Sequence, residues 1–188
     1  MAIANAAPIG VLAFGCACFV SGLFFWGIDN DPPETTGKSV AYTQIMCGVT
    51  LFIVAALFIL GSQPVGPNLS MWAAAIFGFF AYLWFVLGLI ILNGGDLRPM
   101  SSFLLFCCVC TVTWMIHSFK LGLISFGVLF VFASLGTFLA WIGIRGWWAQ
   151  GAKWAGGCFI VLGFVGLYIA LWEQLTGIAY NSMLAGKF

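Results

Sequence analysis

Long apolar runs separated by short polar segments set the pattern of this chain. Each run is close to the roughly 20 residues that an α-helix needs to cross a bilayer. None alternates in character at every second residue, as the strands of a membrane barrel do. The pattern therefore predicts an all-α integral membrane protein, a bundle of six transmembrane helices. The predicted spans are 9–28, 39–61, 71–92, 102–119, 121–144 and 155–175.

Glycine, proline, asparagine and charged residues interrupt the chain between most of these runs, at 29–33, 63–67 and 94–99. Such residues favour turns and loops over helix. The boundary after the fourth run is weaker, because Lys120 is the only charge there. We still expect a turn at this point, since one helix from 102 to 144 would be about 64 Å long, twice the thickness of the hydrocarbon core.

Composition narrows the class of protein further. Only 6% of the residues are charged and 63% are hydrophobic, whereas soluble domains carry about 25% charged residues. A net charge of +1 leaves no basic surface that could neutralise the phosphates of a nucleic acid. These values exclude a soluble enzyme, a disordered chain and a nucleic-acid-binding protein. Because the spans use nearly the whole chain, we expect one transmembrane domain with no enzyme activity and no cofactor.

The basic residues of the loops give the expected orientation, because lysine and arginine accumulate on the cytoplasmic side. Four lie on the side opposite the termini and two on the side of the termini. We therefore expect both termini outside the cytoplasm, in a bacterial inner membrane. The four are Lys38, Arg98, Arg145 and Lys153, and the two are Lys120 and Lys187.

Ionisable side chains are scarce within the spans. Glu173 and His117 are the main candidates, and each lies near the end of its run. An ionisable residue at membrane depth is a functional candidate, but a residue near the end of a span can also anchor the helix at the interface. So few charges suit the passage of a neutral solute, or of a weak acid that crosses with its proton.

The third span carries an aromatic stripe, because Phe77, Phe80 and Trp84 recur at helical spacing. Such a stripe either lines a narrow pore or packs against lipid and other helices. Gln44 in the second span raises a similar choice. Its amide needs a partner, which is either a solute or a side chain on a neighbouring helix.

Two stripes of small residues predict close packing of helices and assembly of several chains. The first lies in the third span and the second in the fifth. They consist of Ala74, Gly78 and Ala81, and of Gly136, Ala140 and Gly143.

The cysteines suggest no metal site. Cys107, Cys108 and Cys110 are close in sequence, as are Cys16 and Cys18. Structural zinc needs four ligands, commonly cysteine and histidine, and His117 is the only histidine. We interpret the thiols as small apolar side chains in packed helices.

Three segments carry a resemblance to the AmiS/UreI family of urea and amide channels. They read SVAYTQ at 39–44, GFFAYLW at 78–84 and DLRPMS at 96–101. The resemblance implies a hexamer of six-helix protomers, each with its own narrow pore. It places Phe80 and Trp84 at positions like the family's pore-constricting aromatics, and Gln44 where an asparagine is usual. The chain lacks the repeated tryptophans of the fifth span, the histidine-rich outer loops and a glutamate early in the last span.

A second resemblance is to the acetate uptake family, whose members are also six-span hexamers. NAAPIG at 5–10 and LYIALWE at 167–173 are similar to the two ends of those proteins. This resemblance implies that Glu173 takes part in moving acetate together with a proton.

The sequence therefore predicts a channel for small neutral solutes, such as urea or short-chain amides. Its predicted path residues are Gln44, Phe77, Phe80, Tyr82 and Trp84. The alternative is a proton-linked transporter of acetate or a similar monocarboxylate, in which Glu173 and His117 are the candidate proton-linked residues. A structural subunit of a membrane complex is a further alternative. The expected partners are a small solute, lipid and other copies of the chain, six in the complete assembly.

Overall fold

The structure, a computed structural model, describes residues 6–28, 33–62 and 67–176, and the side chains within 6–28, 35–60 and 70–171. These segments contain six long α-helices and one short π-helical segment, and no strand occurs in them. All six are long and apolar enough to cross a membrane. This confirms the predicted all-α membrane fold. The helices are α1 (Ala7–Trp26), α2 (Pro33–Leu57), α3 (Pro67–Leu92), α4 (Arg98–Lys120), α5 (Ile124–Ile144) and α6 (Gly151–Thr176).

The helices begin earlier than most of the predicted spans do. Helices α3, α4 and α6 start one turn before the predicted residue, and α2 starts at Pro33. Proline suits the first turn, because its missing N–H would have no helical partner there. The first turns are polar, so apolar runs alone do not reveal them. Helix α2 continues past Leu57 as a π-helical segment, Phe58–Ser62.

Left-handed glycines follow four of the described helices, at Gly27, Gly94, Gly122 and Gly146. Gly27 has a φ of 88° and ends α1, where its N–H donates to the carbonyl of Phe24. Gly122 has a φ of 73° and lies in the short turn between α4 and α5. A residue with a side chain adopts this conformation only at a cost, whereas glycine does so readily. The turn predicted at Lys120 is therefore present, and α4 ends at that residue.

Glycine contacts hold α1 against α6. A Cβ atom added to Gly22 would lie 2.7 Å from the backbone N of Ile160 and 2.8 Å from the backbone O of Gly156. About two helical turns before Gly22, a Cβ on Gly15 would lie 3.2 Å from the carbonyl O of Gly163. The two backbones can approach this closely only because no side chains separate them.

The six helices form a ring in chain order. Helix α1 packs against α2 and α6, and α2 also packs against α3. Helix α4 packs against α3 and α5, and α5 packs against α6. Between α3 and α4 the contact is made by side chains, with the ring of Phe79 lying 5.4 Å from that of Phe103 and 5.3 Å from that of Trp114. The ring encloses an interior that is lined by aromatic and aliphatic side chains.

Candidate functional site

Two cavities lie one above the other inside the ring of helices. The larger has a volume of about 50 Å³ and is lined by the first halves of α1, α3 and α5, together with Leu51 of α2. The smaller has a volume of about 20 Å³ and is lined by the second halves of α3 and α5 together with α1, α4 and α6. Because helices run in alternating directions, the larger cavity lies towards the end that holds Ala7 and the smaller towards the end that holds Arg98.

Phe14 and Phe80 are the two residues that line both cavities. Their ring centroids are 4.7 Å apart. Trp114 lies behind Phe80, with 5.7 Å between the ring centroids, and Phe130 lies 5.8 Å from Trp114. The pair Phe14–Phe80 therefore separates the cavities, and neighbouring rings hold it in place. We call this pair the aromatic divide.

The predicted aromatic stripe of α3 faces the interior. Phe77 lines the larger cavity and stacks on Phe58, with ring centroids 5.7 Å apart. Trp84 lines the smaller cavity, between Phe14 and Phe159. Phe77, Phe80 and Trp84 are all buried. The stripe therefore lies inside the bundle and not against lipid, and its role in a path for solute remains a prediction.

Gln44 is fully buried but lines neither cavity. Its Nε2 donates to the Oγ of Ser21 at 3.0 Å, so the side chain bridges α2 and α1. Its Oε1 has no hydrogen-bond partner among the described residues, and the same is true of the indole Nε1 of Trp84. A buried polar atom without a partner costs about 1–3 kcal/mol. Trp84 lines the smaller cavity whereas Gln44 lines neither, so of these two atoms only the indole N–H is a candidate donor to a polar molecule in a cavity.

Tyr82 and His117 lie outside the two cavities. Tyr82 is 52% exposed on the outer face of α3, where its ring contacts Phe103. His117 is exposed near the end of α4, and its ring lies 5.3 Å from that of Trp72, which lines the larger cavity. Glu173 belongs to α6, but its side chain falls outside the part of the chain whose side chains are described. Its predicted role remains a prediction.

Ionised side chains are found at the ends of the helices. In the turn before α4, the guanidinium of Arg98 lies 2.9 Å from the carboxylate of Asp96. Its hydrogen bonds, more than its charge, lower the pKa of that carboxyl. Lys153 lies over the ring of Trp26. Neither cavity is lined by an Asp, Glu, His, Lys or Arg side chain that the structure describes.

Metal ligands are not grouped either. Within the segments described, no three His, Cys, Asp or Glu side chains come together, and the seven cysteines are free. Cys18 lines the smaller cavity and Cys107 is buried. Both pack among apolar side chains, as small apolar residues do.

Phe14 is the site residue that the sequence did not reveal. It lies in a first span that is apolar all round, among 20 phenylalanines in the chain. Spacing therefore gives no reason to choose Phe14 over Phe19 or Phe24. The contact with Phe80 that singles it out joins two helices.

Comparison with known proteins gives one finding about the fold. No known family model matches the chain, and no curated protein sequence matches it. A solved structure, that of the bacterial acetate channel SatP, aligns with a TM-score of 0.75. The alignment covers 95% of this chain and 96% of that one, at 18% sequence identity. At this identity the likeness establishes a shared fold.

Proposed function

We propose that this chain is a membrane channel or transporter that passes small monocarboxylic acids, such as acetic acid, through the interior of each protomer. The observation that carries the proposal is the pair of stacked apolar cavities, both of which are lined by the two residues of the aromatic divide. The path runs from the end that holds Ala7, past Phe77, between Phe14 and Phe80, and along Trp84.

The size of the cavities suits a very small solute. A cavity needs roughly 10–15 Å³ of such volume to hold one water molecule. The larger cavity, at about 50 Å³, has space for roughly three to five such molecules. Acetic acid, acetamide and urea, each with about four heavy atoms, fall in this range. Sugars and amino acids larger than glycine do not.

The walls favour a neutral solute. Moving a carboxylate from water into an apolar interior costs several kcal/mol, even after the surrounding protein has relaxed around the charge. No described cationic side chain lines either cavity to offset that cost. A carboxylic acid therefore crosses in its protonated form, so that a proton accompanies each molecule.

The fold supports an acid over an amide. The protein with which this chain shares its fold is an acetate channel, and the two ends of the sequence resemble the acetate uptake family. Short amides and urea are the second candidate, since an apolar path without described charges passes them as well. The segment 78–84, which resembles the AmiS/UreI family, contributes Phe80 and Trp84 to the path.

Proteoliposomes that contain the purified chain test the proposal. We expect acetic acid to enter faster than acetamide and urea, and its rate to fall as the pH rises, because the protonated fraction of a weak acid drops about tenfold per pH unit above its pKa. Empty liposomes supply the background. If urea and acetamide pass and acetic acid shows no protein-dependent rate, the solute is an amide. If none passes, the transport proposal is wrong.

Glu173 is proposed as a proton-linked residue of this transport. Replacing it by glutamine keeps the size of the side chain and removes its titration. We expect E173Q to lose most of the protein-mediated acetate uptake at every pH, because no titrating group then accompanies the proton at this end of α6, while acetamide permeation is unchanged. Equal protein-mediated acetate rates for the wild type and E173Q, compared at the same pH, would leave Glu173 with an anchoring role at the end of α6.

The number of chains in the assembly and the membrane that holds it are also part of the proposal. We propose a hexamer in a bacterial inner membrane, with both termini outside the cytoplasm. Large apolar side chains on the outside of the bundle, such as Tyr42, Met46 and Leu60, are available to lipid or to other protomers. Native mass spectrometry of the detergent-extracted protein gives the number of chains. A cysteine-accessibility assay on the ends of the chain gives the orientation.

A further inference from the structure

Arg145 is a cation with no anionic partner among the described residues. It follows the last residue of α5, and its Nε donates to the Oγ of Ser101 at 2.8 Å. One of its terminal nitrogens donates to the Oγ of Ser102. Both acceptors are neutral hydroxyls at the beginning of α4. The acid nearest to α4 in sequence, Asp96, pairs with Arg98 instead.

The guanidinium is held in a defined orientation. Ser101 is fully buried, and its hydroxyl donates to the carbonyl of Arg98 at 2.6 Å. Its oxygen is therefore left to accept from Arg145. Two of the guanidinium's donors are used in these bonds, and a guanidinium has about five N–H donors in a planar fork that matches a carboxylate.

Residues close to this guanidinium in the chain line the smaller cavity, although Arg145 itself does not. Ile144, which lines that cavity, directly precedes Arg145, and Leu104, which also lines it, follows Ser101 by one helical turn. Arg145 itself is exposed. A solute that leaves the smaller cavity on the side of Leu104 and Ile144 would therefore pass the exposed guanidinium on its way into water.

We propose that Arg145, oriented by Ser101 and Ser102, is a binding site for the carboxylate form of the transported acid. The inference rests on the proposed passage of a monocarboxylic acid. The acid crosses the apolar interior in its protonated form, releases its proton to water at this end, and leaves a carboxylate that accepts charge-assisted hydrogen bonds from the guanidinium. In the opposite direction the site collects the anion, which takes up a proton from water before it enters.

The test compares R145Q with K153Q. Both substitutions remove one positive charge at the same end of the bundle, but Lys153 lies over Trp26 rather than beside the smaller cavity. We expect R145Q to raise the half-saturation concentration for acetate at least about fivefold, as expected for the loss of hydrogen bonds to a charged group. Acetamide permeation should not change. K153Q should leave both unchanged, and R145K should recover part of the effect.

Salt supplies a second readout. An exposed charge is screened at high ionic strength, so the difference between the wild type and R145Q should shrink in concentrated potassium chloride. If R145Q lowers acetate and acetamide rates equally, Arg145 only ties α4 to α5 and the proposal is wrong. An equal effect of K153Q on acetate would also overturn it, because surface charge in general would then be responsible.

Direct binding separates this inference from the transport proposal. Saturation-transfer NMR with acetate and the detergent-solubilised protein needs no flux. We expect an acetate signal for the wild type and K153Q, and its loss in R145Q. The absence of a signal from the wild type contradicts the site even if acetic acid crosses the liposome membrane. A signal that depends on Arg145 supports the site even if transport fails.

Discussion

Replacing Phe80 by alanine is expected to increase the passage of acetic acid at least about tenfold, which corresponds to removing about 1.4 kcal/mol of barrier. Phe80 lines both cavities, and its ring lies 4.7 Å from that of Phe14. Without the ring the two cavities join into one passage. Selectivity should fall at the same time, so that butyric acid, which is longer, also crosses. Stopped-flow measurements on proteoliposomes give both rates.

The matched variants for this prediction are F80L and Y82A. Leucine retains a large apolar side chain, so F80L should fold even if the loss of ring contacts with Phe14 and Trp114 destabilises F80A. An intermediate rate is expected for F80L. Tyr82 lies on the outer face of the same helix, so Y82A should leave the rates unchanged. Unaltered rates in both F80A and F80L would contradict the assignment of the aromatic divide.

Replacing Gly22 by alanine is expected to destabilise the bundle by roughly 3 kcal/mol, the upper part of the usual range for overpacking. The new Cβ would lie 2.7 Å from the backbone N of Ile160 and 2.8 Å from the backbone O of Gly156. Backbone atoms cannot rotate away as a side chain can, so α1 and α6 must separate. Thermal unfolding of the detergent-solubilised variant measures the loss.

Gly78 provides the control. A Cβ at this position would meet only the Cβ of Ala55, at 3.8 Å, which is an ordinary contact. Alanine also favours helix over glycine by about 1 kcal/mol. G78A should therefore unfold at the same temperature as the wild type or at a higher one. If G22A and G78A unfold alike, the close crossing of α1 and α6 does not limit stability.

The six helices could be predicted from the sequence because the signal for a span is local. Apolar length alone marks each run, and the length limit set by the bilayer places the turn near Lys120. The start of each helix was less well predicted. The polar first turn of α4, which includes Arg98, continues the helix beyond the apolar run, and hydrophobicity gives no sign of it.

The helix contacts were predicted only in part. In the small-residue stripe of α5, the close helix packing predicted at Gly143 is present, because a Cβ there would clash with the backbone of Ala152 in α6. In α3, Gly78 makes no such contact. The glycine crossing of α1 and α6 was not predicted, although the seven-residue spacing of Gly15 and Gly22, repeated in Gly156 and Gly163, was a signal that could have revealed it.

The candidate site depends on contacts between helices, which a sequence read span by span does not contain. Helical spacing correctly grouped Phe77, Phe80 and Trp84 on one face of α3. It could not show that Phe14 faces Phe80, or that Arg145 reaches Ser101 across 44 positions of the chain. Tyr82 shares a sequence segment with Phe80 but points to the opposite side of the helix, where it is exposed.

The aromatic divide consists of side chains, and this affects how a solute would pass. Side chains change rotamer far faster than helix bundles rearrange, which takes microseconds to milliseconds. A molecule that slips between the rings of Phe14 and Phe80 therefore needs no rocking of one half of the protein against the other, unlike the alternating-access cycle of many carriers. The maximum rate of uptake through such a gate should exceed that of a carrier whose helices must rearrange once for every molecule.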